Sequence, residues 1–195
     1  MKRYSNGYDY ITDEIDIMLK LSIIEISDAF KLLLDTFENE GTIYCIGNGG
    51  SASTASHFAN DFNKGLAFYT DKKFHFNCLS DNIATITAIA NDIEYDEIYR
   101  YQLMDNLQMR DIILAISGSG NSANIINAVE YARGLGNKII GLTGFDGGRL
   151  MKLSDIKLHV PINNMQIVED IHLMYNHLLM SLFMSYFEEN SRVKS

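Results

Sequence analysis

DIILAISGSGNSAN, residues 111–124, is an apolar run followed at once by glycine, serine and asparagine. The apolar part predicts a buried parallel strand, and the small polar residues predict a loop that opens a helix. Small residues let the backbone approach a ligand, while free N–H groups, hydroxyls and the positive helix end attract an anion. The loop contains no lysine, so it must hold an anion by these local dipoles.

A second unit of the same kind lies earlier in the chain. Thr42–Ile46 predicts a strand, Gly47–Ser51 is again a loop of glycine, asparagine and serine, and the residues through Phe62 predict a helix. Ligands of parallel α/β proteins bind at the carboxyl ends of the strands. The two loops therefore predict one phosphorylated ligand that lies across neighbouring strand ends.

Strand and helix patterns alternate along the rest of the chain. The predicted strands are Thr42–Ile46, Phe74–Leu79, Ile112–Ser117, Lys138–Thr143 and Ile156–Val160. The predicted helices between them are Ser51–Phe62, Asn82–Ala90, Tyr95–Asn106, Ser122–Gly134 and Gly147–Leu153. This order predicts an α/β three-layer sandwich with a mainly parallel five-stranded sheet.

Long apolar helices are predicted at both ends of this α/β core. Asp13–Phe37 has apolar residues at helical spacing on a broad face, and residues 165–188 form a second such segment. We expect these helices to pack between copies of the chain in a homo-oligomer.

Composition limits the remaining possibilities. With 195 residues, 47% of them hydrophobic, and a single proline, the chain is expected to form one domain over residues 1–195 with an N-terminal helical extension. Its net charge of −9 disfavours nonspecific binding to nucleic acid or to an anionic membrane. The polar first residues and the lack of a long apolar run predict a cytoplasmic protein. Cys45 and Cys78 are expected to be buried small residues.

Two pairs of side chains have the spacing of metal ligands. His57 and Asp61 are four residues apart on one predicted helix, and Glu169 and His177 are eight residues apart on the last one. Both spacings place the two side chains of a pair on one helix face, whereas His172 falls on a different face. Two imidazoles and two carboxylates form a donor set for Zn²⁺ or a similar divalent ion.

Five segments together resemble the sugar isomerase (SIS) domain of the phosphoheptose isomerases, in order and in spacing, over nearly the whole chain. They are GNGGSASTASHFANDF, AIANDIEYDEIY, ISGSGNSANIINAVEYA, IIGLTGFDGG and VEDIHLMYNHLL. The resemblance implies a flavodoxin-like SIS fold, a homotetramer, and conversion of D-sedoheptulose 7-phosphate to D-glycero-D-manno-heptose 7-phosphate. The product would supply heptose for bacterial surface glycans such as lipopolysaccharide or capsule.

The resemblance also implies roles for individual residues. The sugar site would contain Asn48, Gly49, Gly50, Ser51, Asn91, Asp92 and Glu169, and the phosphate loop would contain Ser117, Gly118, Ser119 and Ser122. The metal ligands would be His57, Asp61, Glu169 and His177, and the catalytic residues Asp61, Glu169 and His177.

The chain departs from the family pattern at three of these positions. Asp61 replaces a glutamate that serves as metal ligand and base, Glu169 replaces a metal-binding glutamine, and Gly118 replaces a threonine. An aspartate is shorter by one methylene, about 1.5 Å, so either Asp61 or Glu169 is the catalytic base.

Three other functions share some of these features. A noncatalytic SIS protein would bind a sugar phosphate or a protein partner without turnover. An isomerase of another sugar phosphate, such as an arabinose or hexulose phosphate, would use similar loops. A nucleotide-binding Rossmann protein is disfavoured because Gly47–Gly50 lacks the third glycine spacing, and Asp81 is a weak ribose-binding acid.

Overall fold

The computed structural model describes residues 4–192 and contains one five-stranded sheet in the order β2-β1-β3-β4-β5, with every pair parallel. The strands are β1 Ile43–Gly47, β2 Phe76–Cys78, β3 Ile112–Ser117, β4 Lys138–Thr143 and β5 Ile156–His159. The predicted sheet is thus confirmed, and it is parallel throughout. Strand β2 is shorter than predicted because it lies at the edge, and only three of its residues are in register with β1.

Helices cover both faces of the sheet. They are α1 Gly7–Met18, α2 Ile23–Glu38, α3 Gly50–Lys64, α4 Ile83–Asp92, α5 Arg100–Leu103, α6 Ala123–Gly134, α7 Gly148–Leu153 and α8 Met165–Arg192. No helix of the described chain, residues 4–192, is long and apolar enough to cross a membrane.

The single helix predicted over Asp13–Phe37 is wrong, because the chain forms two helices there. Helix α1 ends at Met18, and α2 begins at Ile23. The Ser22 hydroxyl accepts the backbone N–H of Glu25 at 3.2 Å and so caps the new helix. Serine followed three residues later by glutamate is the sequence signal of such a cap.

The helix predicted over Tyr95–Asn106 is also wrong. The segment contains a 3₁₀ turn at Tyr95–Glu97 and the one-turn helix α5. Asp105 has a positive φ of 61°, a left-handed conformation that a continuing helix excludes. This irregular segment allows the tyrosines at its start to point toward the end of β1.

Two apolar cores lie on opposite faces of the sheet. One core joins the sheet to α2, α3 and α8 through residues that include Leu33, Phe58, Phe62 and Phe183. The other core joins the opposite sheet face to α6 and α7 through residues that include Ile113, Ile125, Val129 and Leu150. Helices α3 and α8 therefore share one layer, and their side-by-side packing positions the candidate metal ligands.

Both cysteines are buried in the first core, as predicted. Burial raises the pKa of the Cys78 thiol to about 11 and raises that of Cys45 well above its usual value. These thiols therefore remain protonated at neutral pH, which excludes them as nucleophiles.

Candidate active site

The two glycine-rich loops lie on either side of the point where the strand order reverses. Strand β1 lies between β2 and β3, and the helices that follow β1 and β3 cover opposite faces. The loops therefore diverge and leave a crevice at the carboxyl ends of the strands. Across this crevice the amides of Asn48 and Asn124 exchange two hydrogen bonds, each 2.9 Å long.

Asn48 is fixed by several partners. Its Oδ1 accepts the Asn124 amide and lies 3.2 Å from the hydroxyl of Tyr99 and 3.3 Å from that of Tyr95. The Tyr99 hydroxyl also contacts the Gly47 carbonyl, and burial raises the pKa of Tyr99, which keeps that hydroxyl protonated. The sequence patterns did not reveal Asn124, Tyr95 or Tyr99, since each is distant from Asn48 along the chain. One N–H of Asn48 remains for a ligand.

The second loop presents serine hydroxyls to the crevice end of β3. Ser117 is buried at the end of the strand, and its Oγ lies 3.4 Å from the Oγ of Ser122. Ser122 is the N-cap residue of α6, yet its side chain makes no capping hydrogen bond. Ser119 is exposed and accepts the backbone N–H of Asn121 at 3.3 Å. The Ser122 hydroxyl is therefore not committed to the helix end and is able to contact an anion.

The glycine at position 118 has a local physical reason. A Cβ atom there would lie 2.6 Å from Sδ of Met165 and 3.2 Å from its Cε. Met165, the first residue of α8, fills the space that a threonine side chain would occupy. The packing of Met165 against position 118 therefore explains why this loop has a glycine there and lacks the hydroxyl of a threonine.

His57, Asp61 and His177 come together on the facing sides of α3 and α8. The Asp61 Oδ2 lies 3.1 Å from Nε2 of His57 and 3.9 Å from Nε2 of His177, and the two imidazole Nε2 atoms are 3.3 Å apart. Ligands at about 2.0–2.1 Å from a tetrahedral zinc ion are about 3.4 Å from one another. The three donors therefore have the mutual spacing and the chemistry of a divalent metal site.

Glu169 does not join this group in the structure. A Cβ added to Gly50 would lie 2.6 Å from Oε1 of Glu169 and 2.9 Å from its Oε2. The carboxylate is thus packed over the first residue of α3, about two turns before His57 on that helix. Three of the four predicted ligands thus lie together in the described chain, and a ligand role for Glu169 stays a prediction. Its negative charge instead lies at the positive end of α3.

Asn176 is a member of the site that the sequence patterns missed. It is fully buried on α8, and its Nδ2 donates a 2.7 Å hydrogen bond to Oδ2 of Asp61. Its own Oδ1 is buried and has no hydrogen-bond partner among the described residues. An asparagine inside an apolar helix face is the signal that would have found it, because buried amides require partners.

His172, Asn91 and Asp92 are not members of the group formed by His57, Asp61 and His177. His172 is buried, its Nε2 lies 3.2 Å from the Thr143 carbonyl oxygen, and burial lowers its pKa to about 4. This confirms that it faces differently from His177. Asn91 and Asp92, which the family resemblance assigns to the sugar site, are the exposed last residues of α4. Their role in sugar binding stays a prediction.

The fold and the serine-rich loop at the strand-order reversal define an SIS domain, and the family model for the SIS domain matches residues 8–144. A phosphoheptose isomerase from Helicobacter pylori (strain P12) is 38% identical over 165 residues, which are 83% of this chain and 85% of that protein.

Two solved structures carry the same similarity. A phosphoheptose isomerase from Francisella tularensis has a TM-score of 0.85 and 30% identity, and one from Neisseria gonorrhoeae has a TM-score of 0.83 and 29% identity. Each alignment covers 91% of this chain and 96% of the other. The chain belongs to the phosphoheptose isomerase family, and it is an isomerase.

Proposed function

We propose that this protein converts D-sedoheptulose 7-phosphate to D-glycero-D-manno-heptose 7-phosphate, in the cytoplasm, for the synthesis of bacterial surface-glycan heptose. The observation that carries the proposal is the convergence of His57 and Asp61 of α3 with His177 of α8, because α3 is the helix that begins at the first anion loop. The choice of substrate rests on the similarity of this chain to phosphoheptose isomerases.

His57, Asp61 and His177 would hold Zn²⁺ or a similar divalent ion. When bound, such an ion supplies positive charge that stabilises an oxyanion on the neighbouring sugar carbon. Two neutral imidazoles and one carboxylate leave a net positive site after binding, so the site retains an attraction for developing negative charge.

We assign the base of the reaction to Glu169. Aldose–ketose isomerisation moves a proton between adjacent carbons through an enediolate, which requires a general base near the carbon acid, and a carboxylate is able to serve as that base. Oδ2 of Asp61 already accepts Asn176 and faces the histidines. The Glu169 carboxylate instead lies over Gly50, in the loop assigned to the sugar. Asp61 then acts as a ligand, and His177 serves as the partner acid or base.

The phosphate group would bind at the loop that follows β3. The hydroxyls of Ser119 and Ser122 and the N-terminus of α6 contribute binding energy far from the reacting carbons. This energy orients the sugar for proton transfer rather than acting on the transition state itself. Because the chain has a net charge of −9, which does not attract a phosphate over long range, such local contacts are the principal attraction for the substrate.

We propose a homotetramer as the assembly. Several large apolar side chains of α1 and the start of α2 are exposed, among them Ile11, Ile15, Leu19 and Ile24. A group of exposed apolar side chains of this size is typical of a surface that packs against another subunit.

The proposal is tested by incubating the zinc-loaded protein with sedoheptulose 7-phosphate and following aldose formation. Arabinose 5-phosphate and a ketohexose 6-phosphate are run in parallel, and faster turnover of either would reassign the substrate. Binding of all three without turnover would identify a noncatalytic SIS protein.

The residue roles are tested by amide substitutions. Glu169→Gln should lower kcat by at least a hundredfold with metal content unchanged, whereas Asp61→Asn should lose the metal. Glu189→Gln, exposed on the same helix, is the matched control. The assignment to Glu169 fails if Glu169→Gln retains kcat, or if Asp61→Glu combined with Glu169→Gln restores activity, since either result returns the role of base to position 61.

A further inference from the structure

We propose that Asn176 is a positioning residue that holds the Asp61 carboxylate in its metal-binding orientation. The inference rests on the proposed metal site of the isomerase. It adds a residue that contacts neither the ion nor the sugar and acts only through Asp61.

The contact is specific to one oxygen. Asn176 Nδ2 donates to Oδ2 of Asp61 at 2.7 Å, and this same oxygen lies 3.1 Å from Nε2 of His57 and 3.9 Å from Nε2 of His177. A carboxylate oxygen has two lone pairs. The Asn176 amide occupies one lone pair, and the other remains for the metal ion that Asp61 and the two histidines would bind.

The energetics of the Asn176 side chain point to a role beyond packing. The residue is fully buried, and its Oδ1 has no hydrogen-bond partner among the described residues. A buried acceptor without a partner destabilises the folded chain, whereas an apolar side chain of similar size would avoid that cost. The N–H donated to Asp61 is the interaction that such a replacement would lose.

The short side chain of Asp61 explains why a donor on α8 is useful. The carboxylate of an aspartate stays close to its own helix, and Asp61 is mostly buried between α3 and α8, with 15% of its side chain exposed. Apart from the two histidines of the group, the exposed Asn60 also approaches it, with its Nδ2 3.4 Å from Oδ1. Asn176 therefore provides the strong, buried contact that selects one orientation, and as a neutral amide it leaves the charge of the site unchanged.

The alternative is that the hydrogen bond merely ties α3 to α8. A structural tie affects the stability of the metal-free protein, whereas a positioning residue affects metal affinity. Loss of a hydrogen bond from a neighbouring residue to a metal ligand typically changes metal affinity by about 10–100-fold.

The experiment compares Asn176→Leu with the parent protein by chelator competition for Zn²⁺ without substrate and by thermal unfolding of the metal-free form. We expect zinc affinity to fall at least tenfold while the metal-free Tm does not fall. Asn176→Ser, whose side chain is too short for its hydroxyl to reach Asp61, should show the same loss of zinc affinity. It replaces Asn176→Leu in the comparison if the leucine variant does not fold. Asn190→Leu, exposed near the end of α8, is the control.

A double-mutant cycle with Asp61→Glu separates positioning from a general effect. The longer carboxylate passes the Asn176 amide, so in that background Asn176→Leu should change zinc affinity less than threefold. Unchanged zinc affinity in Asn176→Leu, or an equal loss in both backgrounds, overturns the inference.

The outcomes for the proposed function are distinct. A parent protein that does not bind zinc overturns the inference about Asn176, and the turnover of sedoheptulose 7-phosphate then decides the proposed function by itself. A parent that binds zinc but does not isomerise the sugar overturns only the proposed function, and the affinity comparison still decides the role of Asn176.

Discussion

The buried imidazole of His172 makes the stability of this fold depend on pH. Burial on α8 lowers the pKa of His172 from 6.5 to about 4, with its Nε2 3.2 Å from the carbonyl oxygen of Thr143. Above pH 6.5 the imidazole is neutral in both the folded and the unfolded chain, so it adds no pH dependence. Between pH 6.5 and 4 His172 is protonated in the unfolded chain but stays neutral in the folded chain, so the free energy of unfolding falls as the pH falls.

The magnitude follows from the difference between the two pKa values. The full difference corresponds to about 3 kcal/mol of unfolding free energy, and about 2 kcal/mol of it is lost between pH 7.5 and pH 5. Burial also lowers the pKa of His159, which adds a loss of the same sign, while a raised pKa of Glu14 acts in the opposite direction. A substitution of His172 measures the contribution of this residue to the pH dependence of stability separately from those of His159 and Glu14.

The assay is urea unfolding of metal-free protein at pH 7.5 and pH 5, with His172→Gln beside the parent. The amide of glutamine is able to donate to Thr143 but does not titrate, so the stability loss on acidification should shrink by about 2 kcal/mol. His75→Gln, at an exposed position, is the control and should retain the parent's loss. Equal losses in the parent and His172→Gln would refute the reasoning.

Three further predictions concern the phosphate loop and the assembly. Ser119→Ala and Ser122→Ala should each weaken sugar-phosphate binding by about 1.5–3 kcal/mol with the fold intact, and calorimetry that finds unchanged affinity in both rejects the loop assignment. Gly118→Thr should destabilise the protein by about 1–3 kcal/mol through crowding of Met165, and Met165→Ala should relieve that cost in urea unfolding; additive losses argue against the coupling. Light scattering should give four copies of the 22.0 kDa chain at micromolar concentration, and a monomer would contradict the tetramer.

Local sequence patterns were sufficient for most of the sheet. The apolar runs of β3 and β4 were predicted to the residue, because a parallel strand buried on both faces is apolar along its whole length. The break between α1 and α2 was missed although Ser22 and Glu25 carry its signal. In that segment the helical spacing of apolar residues continues across the break and conceals it.

The relation between α3 and α8 is what only the tertiary structure decided. The sequence determined that His57 and Asp61 share one helix face, since the pitch of an α-helix fixes that spacing. It did not determine the rotation and axial position of α8 against α3. Those depend on how both helices pack into a core shared with α2 and the sheet, and this packing brings His177 and Asn176 to Asp61 but places Glu169 over Gly50.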